Sequence, residues 1–278
     1  MPCSRHARSG RAGAASVGLC RIELICRPGA GSALAALVLL FSSVHAQPEP
    51  AGFGEIHQID QAVKSIRGET VRIVNPFGNV RIRAIPDAAD GMLRATVQPT
   101  SRDGIPASVR TRDGDRGPVF EVVAAEQAAA LLRVDVVVAL PDKAGLDVEM
   151  ARGDFTMHAA TYPVRIRADA GNINLRTAGP VDVEVIDGHV TYNPPRDRKL
   201  AGGRIQTSSA PVDVLVSSHA VLKFRVVSGA AVTTDSLALL QSRSRDGRAT
   251  VFAYHAGADA LAIQTDHAPV RLVVEGHR

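Results

Sequence analysis

Tryptophan is absent from the chain, and aromatic residues make up only 4% of it. That is too few for the stacking platforms on which sugars or bases are commonly held. The three cysteines, Cys3, Cys20 and Cys26, all precede Gln47, so beyond that point no disulfide, thiolate nucleophile or cysteine metal site can form. An excess of one charge is also missing there. Setting aside the five arginines and Glu23 that precede Gln47 leaves 27 basic against 27 acidic residues. The pI of 9.2 therefore belongs to the leader and gives no argument for nucleic acid. Long apolar runs are lacking too: residues 33–41 form an unbroken stretch of nine, far short of the roughly 20 needed to span a bilayer as a helix.

What that stretch does resemble is a secretory signal. Arg21 and Arg27 precede it, and Val44-His45-Ala46 follows with small residues at −3 and −1, which places cleavage between Ala46 and Gln47. Residues 1–46 then form a signal peptide with a long n-region, as fits a start placed upstream of the functional one. Residues 47–68 are expected to be a mobile linker, and residues 69–278 a β-repeat domain. Cys20 and Cys26 lie before the apolar run, the wrong side for a lipoprotein anchor. The expected product is soluble after export, periplasmic or extracellular, with no transmembrane anchor.

Helical periodicity is confined to residues 126–133, about two turns rich in alanine and too short to stand alone. Elsewhere the period is two. Val71 and Ile73, Val80 and Ile82, Val134, Val136 and Val138, Val164 and Ile166, Val181, Val183 and Val185, and Val212, Val214 and Val216 all alternate with polar neighbours. Such β-branched alternation marks strands with one buried face.

A unit recurs: alternating apolar residues, a Gly or Ala corner, then alternation again. Its corners fall at Gly153, Gly171 and Gly188, with weaker copies at Gly78, Ala210, Gly229, Gly247 and Ala268. A period near 20 residues with few inward side chains per copy indicates a stacked β array stabilised by its neighbours. The expected fold is all-β: a β-solenoid of roughly 20-residue coils. The alternative is a β-sandwich or meander of hairpins closed at turns such as Asp187-Gly188 and Asp246-Gly247. The charges separate the two. Counting six residues back from successive corners gives Asp147, Arg165, Asp182 and Arg204; counting four gives Glu149, Arg167 and Glu184. Parallel coils would place these as a ladder of opposite charges, with Arg165 between Asp147 and Asp182. A hairpin would set Arg165 against Asn174 or Arg176.

Val71-Arg-Ile-Val-Asn-Pro-Phe-Gly78-Asn-Val, Val136-Val-Val-Ala-Leu-Pro141, Gly145-Leu-Asp-Val and the Gly-Asp/Asn-aliphatic units at Gly153 and Gly171 resemble the bacterial putative adhesin family, β-strand-repeat domains of unknown function. The resemblance spans residues 69–274. It implies an exported β-helical domain and supplies no catalytic residues.

Chemistry-bearing motifs reduce to architecture. Arg152-Gly153-Asp154 spells an integrin-recognition tripeptide, but Gly153 is a repeat corner and Asp154 corresponds to Asn79 and Asn172. Arg112-Asp113-Gly114-Asp115 has too few acids for the six to eight oxygens of a calcium site and reads as a polar turn. The histidines show no short ligand spacing, and His189, one residue past its corner, is expected to face solvent. There is no nucleophile elbow and no phosphate loop. No catalytic residue, cofactor or metal is expected. The reading is a non-catalytic exported protein presenting a binding or scaffolding, adhesin-like surface to an envelope protein or glycan, not to nucleic acid. The alternatives are a polysaccharide-acting β-helix enzyme and a periplasmic regulatory or sensor partner.

Overall fold

The computed structural model describes residues 56–64, 68–85, 90–99, 107–124, 132–141, 144–195, 201–217, 222–235, 240–243, 250–254 and 260–275, all within the unit Pro48–Arg278. The expected signal peptide and its Ala46/Gln47 junction lie outside the described residues.

The described residues form strands and no helix. In chain order the strands are β1 His57–Val63, β2 Thr70–Val74, β3 Val80–Ile85, β4 Gly91–Pro99, β5 Ala107–Gly114, β6 Gly117–Ala124, β7 Leu132–Pro141, β8 Gly145–Arg152, β9 Phe155–Ala160 and β10 Val164–Thr177. There follow β11 Val181–Tyr192, β12 Gly203–Thr207, β13 Val212–Ser217, β14 Leu222–Ser228, β15 Val232–Thr234, β16 Leu240–Arg243, β17 Thr250–Tyr254, β18 Ala260–Thr265 and β19 Val270–Glu275. They make one large mixed sheet.

Its centre is parallel. β10 is flanked by β8 and β9 on one side and by β11 on the other. Ile166 lies level with Val148 and Val183, and Ile173 with Phe155 and Val190. The register continues from β11 to β12 and β13. Each apolar residue thus stacks on its counterpart one unit away, and the inward positions of all these strands are buried. A single unit could not shield these side chains, so the neighbouring units complete one shared core.

The corners explain the glycines. Gly153, Gly171 and Gly188 have φ of 126°, 143° and 119°, a region that side chains avoid. A Cβ on Gly171 would sit 1.8 Å from the Gly153 carbonyl oxygen, and one on Gly188 would sit 2.0 Å from that of Gly171. Beside them the Asn79 side chain accepts from the Asp154 amide at 2.7 Å, and the Asp154 carboxylate accepts from the Asn172 amide at 3.1 Å. Arg152-Gly153-Asp154 is accounted for by this stacking of corners. At Ala210 and Ala268 another device takes over: the buried hydroxyls of Thr207 and Thr265 donate to the alanine carbonyls at 2.7 and 2.6 Å.

Several expectations are corrected. β11 runs straight through Asp187-Gly188, which closes no hairpin. Residues 47–68, expected as a mobile linker, include β1, which pairs antiparallel with β4 along seven residues. The proposed helix at 126–133 ends in Leu132 and Arg133, the first residues of β7; its other residues lie outside the described ones. The units also do not stack in chain order. β18–β19 lies between β12–β13 and β14–β15, and β2–β3 lies between β6–β7 and β8–β9. The corner at Gly229 is one residue shorter than its neighbour at Ala268, because Ser228 aligns with Thr265 and Val232 with Val270, and the absent Cβ of Gly229 would lie 1.8 Å from the Asp266 carbonyl oxygen. The Gly247 corner lies outside the described residues. The strands flanking it, β16 and β17, pair antiparallel, so they form a hairpin and not two arms of a stacked unit.

Candidate functional site

A charged surface runs along the outward side of the first arm of the units. Alternation sends Leu146, Val164, Val181 and Ile205 into or beside the core and leaves Asp147, Arg165, Asp182 and Arg204 pointing away from it. In the parallel register Arg72, Asp147, Arg165, Asp182 and Arg204 lie level on successive strands. The neighbouring row is Glu149, Arg167, Glu184 and Gln206. Neither Asn174 nor Arg176 pairs with Arg165; those residues are level with Thr156 and His158 on β9.

The contacts are partly along the rows and partly diagonal. Asp182 is held between Arg165 at 3.4 Å and Arg204 at 2.9 Å. Arg167 reaches Glu184 at 3.8 Å. Glu149 instead takes a 2.6 Å hydrogen bond from Arg72, across the two rows. Asp147 differs from its ladder partners: its side chain is only 7% exposed, against 38% for Asp182. The cause is a hairpin from elsewhere in the chain. β5 and β6 pair antiparallel with Gly114 opposite Gly117, so Asp115 and Arg116 form the two-residue turn. That turn is docked on β2, where the Thr70 amide donates to the Arg116 carbonyl at 2.7 Å. Gly117 makes the approach possible, since with φ of 136° a Cβ there would lie 2.7 Å from the Thr70 carbonyl oxygen. The Arg116 guanidinium then lies 3.8 Å from Asp147. Arg116 is the guanidinium paired with Asp147, while the level neighbours Arg72 and Arg165 are paired with Glu149 and Asp182.

The hairpin roofs an open cleft of about 770 Å³ whose polar lining includes Lys64, Glu69, Thr70, Asp113, Asp115 and Arg116. A smaller cleft of about 180 Å³ lies between Arg116 and the ladder residues Asp147, Arg165 and Asp182. Asp113 and Asp115 stand on either side of Gly114 at the turn, as a polar hairpin tip. Among the described residues no three His, Cys, Asp or Glu side chains gather as a metal set. His189 is half-buried and lies 3.2 Å from Asp213, a partner that its sequence position did not reveal. His57, His158 and His267 are exposed.

Two residues of the face escaped the sequence reading. Arg72 carried the signal, because six residues back from Gly78 lands on it and continues the alternation of sign. Arg116 carried none: it reaches the ladder through a hairpin whose docking site lies about 45 residues upstream.

No family model matches the chain, and no curated protein matches it. Among solved structures it is similar to a putative cell adhesion protein from Clostridium sporogenes, with 9% identity over 80% of this chain and 100% of that one and a TM-score of 0.46. It is also similar to a putative adhesin from Parabacteroides distasonis, with 10% identity over 79% of this chain and 97% of that one and a TM-score of 0.33. A third, from Bacteroides fragilis, has 10% identity over 78% and 97% and a TM-score of 0.27.

Proposed function

We propose that the chain is an exported, non-catalytic repeat protein whose units wind as a β-solenoid and present a binding or scaffolding surface in the bacterial envelope. The observation that carries this reading is the neutralised ladder. Asp182 is held by two arginines, and Glu149 and Asp147 by one each. Each of these carboxylates is taken up in an ion pair with a guanidinium from another strand or from the β5–β6 turn. These acids therefore act as struts between strands.

Export rests on the leader of residues 1–46, and the winding on the parallel register. Among the described residues no helix is long and apolar enough to cross a membrane. The enzymatic alternative would have to use the cleft under the β5–β6 hairpin, where Glu69, Asp113 and Asp115 gather.

The test has two parts. N-terminal sequencing of the protein from its native cell is expected to begin at Gln47, and retention of residues 33–41 in a membrane fraction would overturn the address. Incubated with a panel of acidic and neutral polysaccharides, the processed protein is expected to leave their chain lengths unchanged. Shortening of any of them would overturn the non-catalytic reading.

A further inference from the structure

The second arm of each unit carries a different charge pattern. Five residues past the corners, on the outward side, stand Arg83 of β3, His158 of β9 and Arg176 of β10, level with one another on adjacent parallel strands. Arg81, two residues nearer the corner on β3, faces the same way. All four are exposed, and among the described residues none has an ion pair or side-chain hydrogen bond. Other cations on this side are compensated: Arg94 by Asp60 at 2.8 Å, and Arg133 by Asp135 at 3.1 Å. Arg271 stands level with Asp213.

Adjacent strands are ~4.8 Å apart, so Arg83 and Arg176, with β9 between them, lie ~10 Å apart, and neither has an acid to pair with, while the other arm of the same units alternates its signs. Beside the column runs a row of short polar groups, Thr156, Asn174 and Thr191, level on β9, β10 and β11.

We infer that this face binds a linear, carboxylate-bearing polysaccharide laid across the strands. The guanidinium forks of Arg83 and Arg176, with Arg81 beside them, take the carboxylates, since that geometry accepts a planar carboxylate bidentately. His158 and the Thr156–Asn174–Thr191 row supply hydrogen bonds to the sugar hydroxyls. A polymer matches the site because its charges recur along a line, as the side chains do. Among the described residues the exposed large apolar side chains are Ile56, Ile85, Met92 and Ile186, too few for the patch that insertion into lipid needs. The inference rests on the reading of the chain as a non-catalytic binding protein and names its partner.

The test uses the full exported protein in affinity electrophoresis through gels containing polygalacturonate, with neutral dextran as control. Polygalacturonate is expected to retard the wild type in a manner lost at high salt, and dextran is not. The double variant Arg83→Gln/Arg176→Gln is expected to bind roughly tenfold or more weakly, the loss of two charge-assisted contacts. Its melting temperature is expected to match that of the wild type, because the replaced side chains are exposed and surface substitutions without partners change stability little. Arg110→Gln, an exposed arginine on β5, is expected to bind as the wild type does. The inference is overturned if the double variant binds polygalacturonate unchanged, or melts lower. It is also overturned if anionic phospholipid vesicles or duplex DNA are bound at the same salt while polygalacturonate is not. Each of those results leaves the non-catalytic reading standing; shortening of the polygalacturonate would remove that reading instead.

Discussion

A methyl group at Gly171 is expected to cost more than at any ordinary turn glycine, and the structure separates the reasons. Gly171 has φ of 143° and its absent Cβ would sit 1.8 Å from the Gly153 carbonyl oxygen, a backbone atom of the next unit. Holding alanine at such a φ costs about 1–3 kcal/mol, and forcing two stacked strands apart adds about 1–3 kcal/mol. Gly171→Ala should therefore destabilise by roughly 2–6 kcal/mol, which for a domain of this size lowers Tm by about 5–20 °C. Gly68 is the control, with φ of 90° and nothing within 4 Å of its absent Cβ. Gly68→Ala should carry the conformational cost alone, about 1 kcal/mol or ~2–4 °C. Thermal unfolding followed by circular dichroism reads both. If Gly171→Ala melts no lower than Gly68→Ala, the glycine column is not a close-packed seam and the account of the corners fails.

Other perturbations test other levels. Ile173 is 1% exposed, so Ile173→Asp buries an unpaired carboxylate and should abolish folding, while Thr191→Asp on the outward side should be tolerated; similar melting of the two would reverse the inward and outward assignment. Thr207→Val removes a buried donor and leaves the Ala210 carbonyl unmet, which should cost about 1–2 kcal/mol in urea unfolding; no change would show that the hydroxyl is not what closes that corner. Arg94 hydrogen bonds hold the Asp60 carboxyl below its ordinary range, so this pair stabilises the fold at neutral pH and the gain is lost as pH falls through the folded-state pKa. Asp60→Asn should flatten that part of the acid limb, and an unchanged limb would contradict the assignment. Deleting β18–β19 opens the facing edges of β12–β13 and β14–β15, so the truncated chain should associate through bare strands; a monomer by size-exclusion chromatography would mean that the insertion carries no structural weight.

Much of the core could be read in advance because strand alternation is a local signal. Val164, Ile166, Val181, Val183 and Val185 are buried as their spacing implies, and the distances to the corners carry the level placement of Asp147, Arg165, Asp182 and Arg204. The order of units could not be read, because nothing near β18 in sequence records that its neighbours are β12 and β14, whose contacts close over long loops. Distance in sequence also hid the burial of Asp147, which depends on the β5–β6 turn at Arg116. Glycine drew attention to corners at Gly153, Gly171 and Gly188 through its conformational freedom, whereas the bends at Ala210 and Ala268 are made by Thr207 and Thr265, three residues earlier, in a way that an alanine does not advertise.

Parallel, level stacking of neighbouring units underlies the core, the glycine corners and the charge ladder, and disulfide trapping tests it most directly. With the three native cysteines replaced by serine, Arg165→Cys can be combined in turn with Asp147→Cys, Asp182→Cys or Asn174→Cys and oxidised in the folded protein. Level neighbours on adjacent strands have Cα atoms within the ~4.4–6.8 Å that a disulfide spans. Cross-links are expected with Asp147→Cys and with Asp182→Cys, and none with Asn174→Cys. A cross-link with Asn174→Cys in place of the other two would mean that each unit folds back on itself, and would contradict the stacked ladder.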